Sequence, residues 1–308
     1  MSHHLLRLRR VAIASVIVAG LGGSTFGAAP VGAAIVYPTS APMILNNVSP
    51  DDLANDYHGV CSNRSFQIVI RGISSTTNAL RYLDLAGACG LKVVVYLAPT
   101  ISGGTVYPSR VGPLVRAIRN HPALYGYLSV KEPSWIGISG SEIRSLYKAI
   151  KVADASHPVV ALFGDIPHFG DTRNPYTAGM ADIVMVDWYP VETASSGCSS
   201  SGTSYVPNGP KWFSTKVYAK VHATTPRAPI WVMVQTHKYL APTCHKKQLP
   251  TQALLNRQVR EAFTYARASG IAFHTWDNRN YSVDERRSWT MLGWMRQLSS
   301  AVHAGTFQ

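Results

Sequence analysis

His121-Pro-Ala-Leu-Tyr-Gly-Tyr-Leu-Ser-Val-Lys-Glu-Pro-Ser134 reads as an apolar strand that ends in a carboxylate and is stopped at once by proline. Comparable apolar runs recur on either side of it, separated by stretches with helical rhythm. The predicted strands are 43–47, 66–71, 91–97, 123–130, 158–163, 182–187, 230–235 and 270–276. Near-continuous valine and isoleucine, as in Lys92-Val-Val-Val-Tyr96, marks strands buried on both faces, which is the habit of parallel sheets. Helices are expected over 77–87, 141–153, 251–269 and about 284–301, the first three opening at serine or threonine or closing at glycine. Strand and helix in strict alternation predict an α/β fold with a parallel sheet. Eight such units fit a single-domain (β/α)8 TIM barrel, typically ~250 residues long. The rival, an open doubly wound sheet, would carry a Gly-x-Gly-x-x-Gly turn after its first strand, and none follows Asn47.

The ends of the chain and its charge suggest a compartment. Arg7, Arg9 and Arg10 precede the apolar stretch 11–21, and small residues run on to Ala34. That order predicts an export signal over residues 1–34, cleaved after Ala29, Ala33 or Ala34, by the general or the twin-arginine route. Residues 35–308 would then form the secreted barrel domain, with no membrane insertion once the signal is removed. Four cysteines in an exported chain suggest two disulfides. Cys61 and Cys89 fall before predicted strands, on one rim, while Cys198 and Cys244 follow strands, on the other. The expected pairs are therefore Cys61–Cys89 and Cys198–Cys244. Formal net charge is +13; the three arginines of the signal leave +10 on the remainder. This favours anionic surroundings such as acidic polysaccharide. The basic residues are dispersed and no nucleic-acid motif is present, so nucleic acid is not an expected partner. Oligomeric state is not legible.

In a (β/α)8 barrel, catalytic groups are displayed at the C-terminal ends of the strands. The predicted strands place Asn46, Asn47, Arg71, Tyr96, Glu132, Asp165, Asp187 with Tyr189, Gln235 with His237, and Trp276 with Asp277 on that rim. Acids, amides, an arginine and aromatics together suit a sugar, whose C–H faces stack on rings and whose hydroxyls bind carboxylates and amides. The chain here resembles the (β/α)8-barrel glycoside hydrolases of the large retaining clan, particularly secreted bacterial barrels with Glu-Pro after strand four. The resemblance implies Glu132 as acid/base, Arg71 as the strand-two arginine, Tyr189 as the strand-six aromatic and Trp276 as the strand-eight tryptophan.

Two departures qualify it. Lys131 stands where that clan has asparagine, and Gln235 stands where its strand-seven nucleophile glutamate would be. The reading is a secreted hydrolase of glycosidic bonds in which Glu132 protonates the leaving oxygen. Asp187 is the foremost second carboxylate and Asp277 the lesser one. Gln235 would bind a substrate hydroxyl, Arg71 would orient an acid or a sugar, and Trp276 would form a platform. Tyr96, Trp135, Tyr189 and His237 would line further subsites of a poly- or oligosaccharide, neutral or acidic. Two carboxylates suffice for this chemistry, so no cofactor or metal is expected. The alternative is a barrel that binds carbohydrate but has lost catalysis with the strand-seven carboxylate. No Gly-x-Ser-x-Gly elbow or His-Glu-x-x-His motif supports other hydrolytic chemistry.

Overall fold

The computed structural model describes residues 37–102, 105–164, 176–194, 202–205, 209–238, 245–277 and 284–308. Its strands are β1 (Met43–Asn46), β2 (Ile68–Gly72), β3 (Lys92–Tyr96), β4 (Leu124–Lys131), β5 (Val159–Phe163), β6 (Ile183–Trp188), β7 (Ile230–Gln235) and β8 (Gly270–His274). All are parallel and each pairs with its neighbours in chain order. β1 closes on β8 with Met43 opposite Ile271, completing an eight-stranded barrel. The protein is an α/β (β/α)8 TIM barrel, as the strand pattern predicts.

Alternation along each strand builds two apolar layers. Ile44, Ile70, Val94, Leu128, Val160, Met185, Met233 and Ala272 fill the barrel interior. Leu45, Val69, Val95, Ala161, Val186, Val234 and Phe273 face outward into the layer under the helices. Burial of each large side chain contributes about 1.5–3 kcal/mol of transfer free energy, so both faces of the sheet are committed to the core. Only the strand ends remain for polar chemistry.

The helices include α1 (Pro50–Ala54), α2 (Thr76–Ala88), α3 (Val111–Ile118) and α4 (Gly140–Ala153). Ser139, rather than the predicted Ser141, caps α4, because Glu142 reaches back to its backbone N–H and completes a capping box. Thr251 caps the helix Gln252–Tyr265, as its position after Pro250 predicts. The predicted helix from 284 is in fact a short 3-10 turn, Glu285–Arg287, and a separate helix, Trp289–His303, which starts at the new cap Ser288.

Cys61 and Cys89 form a disulfide with S–S 2.00 Å, joining the segment before β2 to the end of α2 before β3. The pair Cys198–Cys244, Asp165 and the export segment 1–34 lie outside the described residues. The serine- and glycine-rich stretch 191–209 supplies two further strands. Val191–Ala194 pairs antiparallel with Gly202–Tyr205 on one side and with His245–Lys247 on the other. Valine, threonine and tyrosine within the serine-rich stretch favour that pairing over coil. Among the described residues no helix is long and apolar enough to cross a membrane.

Candidate functional site

The C-terminal end of β4 departs from simple alternation. Leu128 packs inside the barrel and Val130 packs outside it, although both are even-numbered. An irregularity in the β4–β5 register between Leu128 and Lys131 produces the inversion, and Ser129 Oγ bonds to Val160 O across it. Lys131, next after the outward Val130, is thereby turned to the inner side. Glu132 follows with φ 45°, a left-handed conformation that costs a residue with a Cβ about 1–2 kcal/mol. Its backbone N–H is held by Leu162 O at 2.8 Å, and Pro133 is buried beneath it. The carboxylate itself makes no hydrogen bond or ion pair with any described residue. Strain of this kind persists where the surroundings over-determine it, and it concentrates at functional sites.

Tyr96, at the end of β3, stands beside this acid. Burial first, and then the charge of Glu132, push its hydroxyl above the ordinary tyrosine value. On the other side of β4, Trp135 leaves most of its indole in solvent, at 74% exposure. A Cβ on Gly164, just past β5, would sit 3.1 Å from Trp135 Nε1 and 3.8 Å from Asp187 Oδ1. The missing side chain therefore lets the indole and the Asp187 carboxylate share the end of β5. Asp187 lies on the inner face of β6, two residues above Met185.

Across the mouth, β7 and β8 present neutral polar groups. Asn46 Nδ2 lies 2.7 Å from His274 Nδ1. An amide nitrogen can only donate, so the His274 proton is on Nε2. His237 Nδ1 donates to His274 O at 2.8 Å. The Tyr189 ring packs against both imidazoles, stacked on His274 and edge-on to His237, while its hydroxyl reaches down to Met233 Sδ. His274 was missed in the sequence. The signal was present in Ile271-Ala-Phe-His274, where Ala272 and His274 share the inward parity.

These histidines stay uncharged. Burial, with smaller contributions from Lys247 and Lys131, outweighs the bond to the His274 carbonyl and pulls His237 down to about 4. Burial, then Lys131 and His237, holds His274 well below its ordinary value. Between about pH 6.5 and about pH 4 the unfolded chain therefore binds more protons than the folded one, and folding stability falls as pH falls through that window. The His237 contribution is intact above pH 6.5 and amounts to about 3 kcal/mol over the interval. Urea midpoints measured from pH 7.5 to 4 are expected to decline, and less steeply in His237→Asn. An identical slope in the variant would remove His237 from this account.

Three predicted site residues are used elsewhere. Gln235 is fully buried, its Oε1 accepting from Val191 N at 2.9 Å and its Nε2 donating to Val191 O at 3.0 Å and Gln248 O at 2.7 Å. It braces the segment after β6 and offers nothing to a substrate. Trp276 is no platform, since its ring is enclosed and its Nε1 donates to Asp52 Oδ2 at 3.0 Å. Asp277 is paired with Arg286 at 3.1 Å and Arg287 at 3.6 Å, so it is a poor second carboxylate. Among the described residues Arg71 pairs with no acid; its Nη1 donates to Asn47 Oδ1 at 2.8 Å and to Asn47 O at 3.2 Å. Another buried acid, Glu285, accepts from the Thr236 hydroxyl, and burial raises its carboxyl well above the usual range. It is wholly enclosed. What the mouth gathers is Glu132, Lys131, Tyr96, Trp135, Asp187, Tyr189, His274 and Asn46. Among the described residues no three histidine, cysteine or acidic side chains cluster as metal ligands.

No protein-family model matches the chain, and no curated protein matches it by sequence. Solved structures do share its fold. A glutamate-to-alanine variant of GH5_18 from Streptomyces cattleya, in complex with Manβ1-4GlcNAc, superposes with TM-score 0.58 at 12% identity, over 85% of this chain and 80% of that one. A β-galactosidase from the psychrophilic Marinomonas ef1 gives TM-score 0.60 at 8% identity, over 85% and 59%. A GH2 β-galacturonidase from Eisenbergiella tayi bound to galacturonate gives 0.54 at 12%, over 86% and 51%. At such identities the likeness shows the (β/α)8 barrel fold alone and leaves the reaction to the residues.

Proposed function

We propose that the protein hydrolyses glycosidic bonds, with Glu132 as the general acid and Asp187 as the second carboxylate. The observation that carries this reading is Glu132 itself: a carboxylate at the end of β4, held in a left-handed conformation and without a partner among the described residues. Its carboxyl group gives a proton to the glycosidic oxygen as the bond from the anomeric carbon to that oxygen breaks. Asp187 acts from the other face, either by taking a proton from the water that attacks the anomeric carbon, or by attacking that carbon itself to form a glycosyl ester, which water then displaces as Glu132 takes the water's proton; the separation of the two groups decides between them. Trp135 offers a ring face to a sugar, and His274 Nε2–H and Tyr96 supply polar contacts. The neighbours' ligands, Manβ1-4GlcNAc and galacturonate, make a carbohydrate the natural occupant. Export through the segment 1–34 belongs to the same proposal and is read by sequencing the N-terminus of the mature protein.

A second reading has its own support. Gln235 occupies the expected nucleophile position and is consumed by backbone contacts, which favours a barrel that binds sugar without turnover. Incubation with a panel of neutral and acidic polysaccharides separates the two. Release of reducing ends that is lost in Asp187→Asn supports hydrolysis. Saturable binding without release identifies the binding barrel and ends the hydrolase reading.

A further inference from the structure

We infer that the glycan taken by this mouth is anionic, held by Lys131 at the mouth and by a two-arginine cleft beside it. This rests on the carbohydrate reading above and names the class of substrate. Lys131 is placed by the backbone: Leu128 is inside the barrel, Val130 is outside, and the register irregularity between them turns the lysine inward. Strands β4 and β8 are diametrically opposed in the closed order, yet the Lys131 charge acts on His274 and also on His237. Its ammonium therefore projects into the mouth rather than along the rim. It makes no ion pair or hydrogen bond with any described residue. An ammonium in the mouth that pairs with no described residue can take an anionic group of the substrate as its partner.

The second observation is independent of the first. A cleft of about 200 Å³ lies where β2 hands over to α2, and its lining includes Arg71, Gly72, Ser74, Asn78 and Arg81, with no acidic residue. Asn47 engages only one of the Arg71 nitrogens, Nη1. Arg81 has no partner among the described residues, and Ser74 and Asn78 add a hydroxyl and an amide. Two guanidinium groups facing one cleft without a counter-charge suit a carboxylate or a sulfate. Tyr96 adjoins both the cleft and the mouth: a Cβ on Gly72, in the cleft lining, would touch its ring at 3.4 Å, and its hydroxyl feels the charge of Glu132. A chain with an anionic group on successive sugars could thus place one charge at Lys131 and another between Arg71 and Arg81. The excess of basic over acidic residues would attract such a polymer from a distance.

The test is binding calorimetry in the Glu132→Gln background, so that turnover does not intervene. The probes are galacturonate, glucuronate and mannuronate oligosaccharides with their methyl esters, and sulfated oligosaccharides with their desulfated forms. At least one anionic form is expected to bind 10-fold or more tightly than its neutralised counterpart, with the gap narrowing as salt rises. Which series shows the preference separates carboxylate from sulfate. Lys131→Met should abolish the preference in the shortest oligomers and reduce it in the longer ones, and Lys131→Arg should keep it. Arg81→Gln, at an exposed position that the fold does not need, should weaken the longer oligomers three- to tenfold and spare the shortest. Equal affinity for charged and neutralised forms throughout would overturn the inference. If neutral glycans are nevertheless bound, and are cleaved by the parent protein, the hydrolase reading stands alone. If no glycan binds, both fall.

Discussion

Glu132→Gln lowers turnover by about 10²–10⁴-fold while changing glycan affinity little, because an amide fills the same space and cannot deliver a proton to the leaving oxygen. The split between turnover and affinity is the informative part. A residue that only shaped the mouth would change both together, whereas a general acid acts in the transition state and spares the ground state. Substrates whose leaving group needs no proton should lose much less. The backbone supplies a second readout on the same position. Glu132 sits at φ 45°, which costs about 1–2 kcal/mol, whereas glycine tolerates that conformation but gives up about 0.5–1 kcal/mol of chain entropy. Glu132→Gly is therefore expected to be inactive yet more stable by up to about 1 kcal/mol, a rise of about 2–4 °C in Tm. Full hydrolytic activity in the glutamine variant would end the assignment. A glycine variant less stable than the parent would show that the conformation is not strained.

The sequence makes the barrel legible because the signal is redundant. Eight apolar runs, most of them rich in β-branched residues and four of them followed by a segment of helical rhythm, point to one topology, so a misplaced cap such as Ser141 for Ser139 does not disturb it. The site is less legible, since it depends on which way individual side chains turn at strand ends, where alternation breaks. Lys131 is read in sequence as a departure from a family pattern, and only the inversion between Leu128 and Val130 reveals that it faces the mouth. Trp276 carries the expected residue type at the expected strand but lies two residues beyond the inward His274, tied to Asp52. Gln235 misleads for the same reason: a polar residue at a strand end can serve the next loop as readily as a ligand.

That last point has a sharp consequence. Restoring the strand-seven acid with Gln235→Glu is expected to create no nucleophile and to destabilise the fold by about 3–5 kcal/mol, the range for a buried charge left without its partner. The Gln235 amide nitrogen donates to Val191 O at 3.0 Å and Gln248 O at 2.7 Å, and its oxygen accepts from Val191 N at 2.9 Å. A carboxylate keeps the last bond but sets an oxygen against two carbonyl oxygens in a fully buried place. Protonation would relieve one clash at the expense of holding a neutral acid at working pH, so the variant should be least stable at neutral to alkaline pH and recover partly in acid. Thermal unfolding should show a loss of about 10 °C, on the scale of about 2–4 °C per kcal/mol for a domain of this size. Gln235→Met, which removes the donors and acceptor without adding charge, should cost less. A Gln235→Glu protein that is as stable as the parent and faster on glycans would mean that this side chain reaches the substrate, and the second carboxylate would then belong on β7 rather than at Asp187.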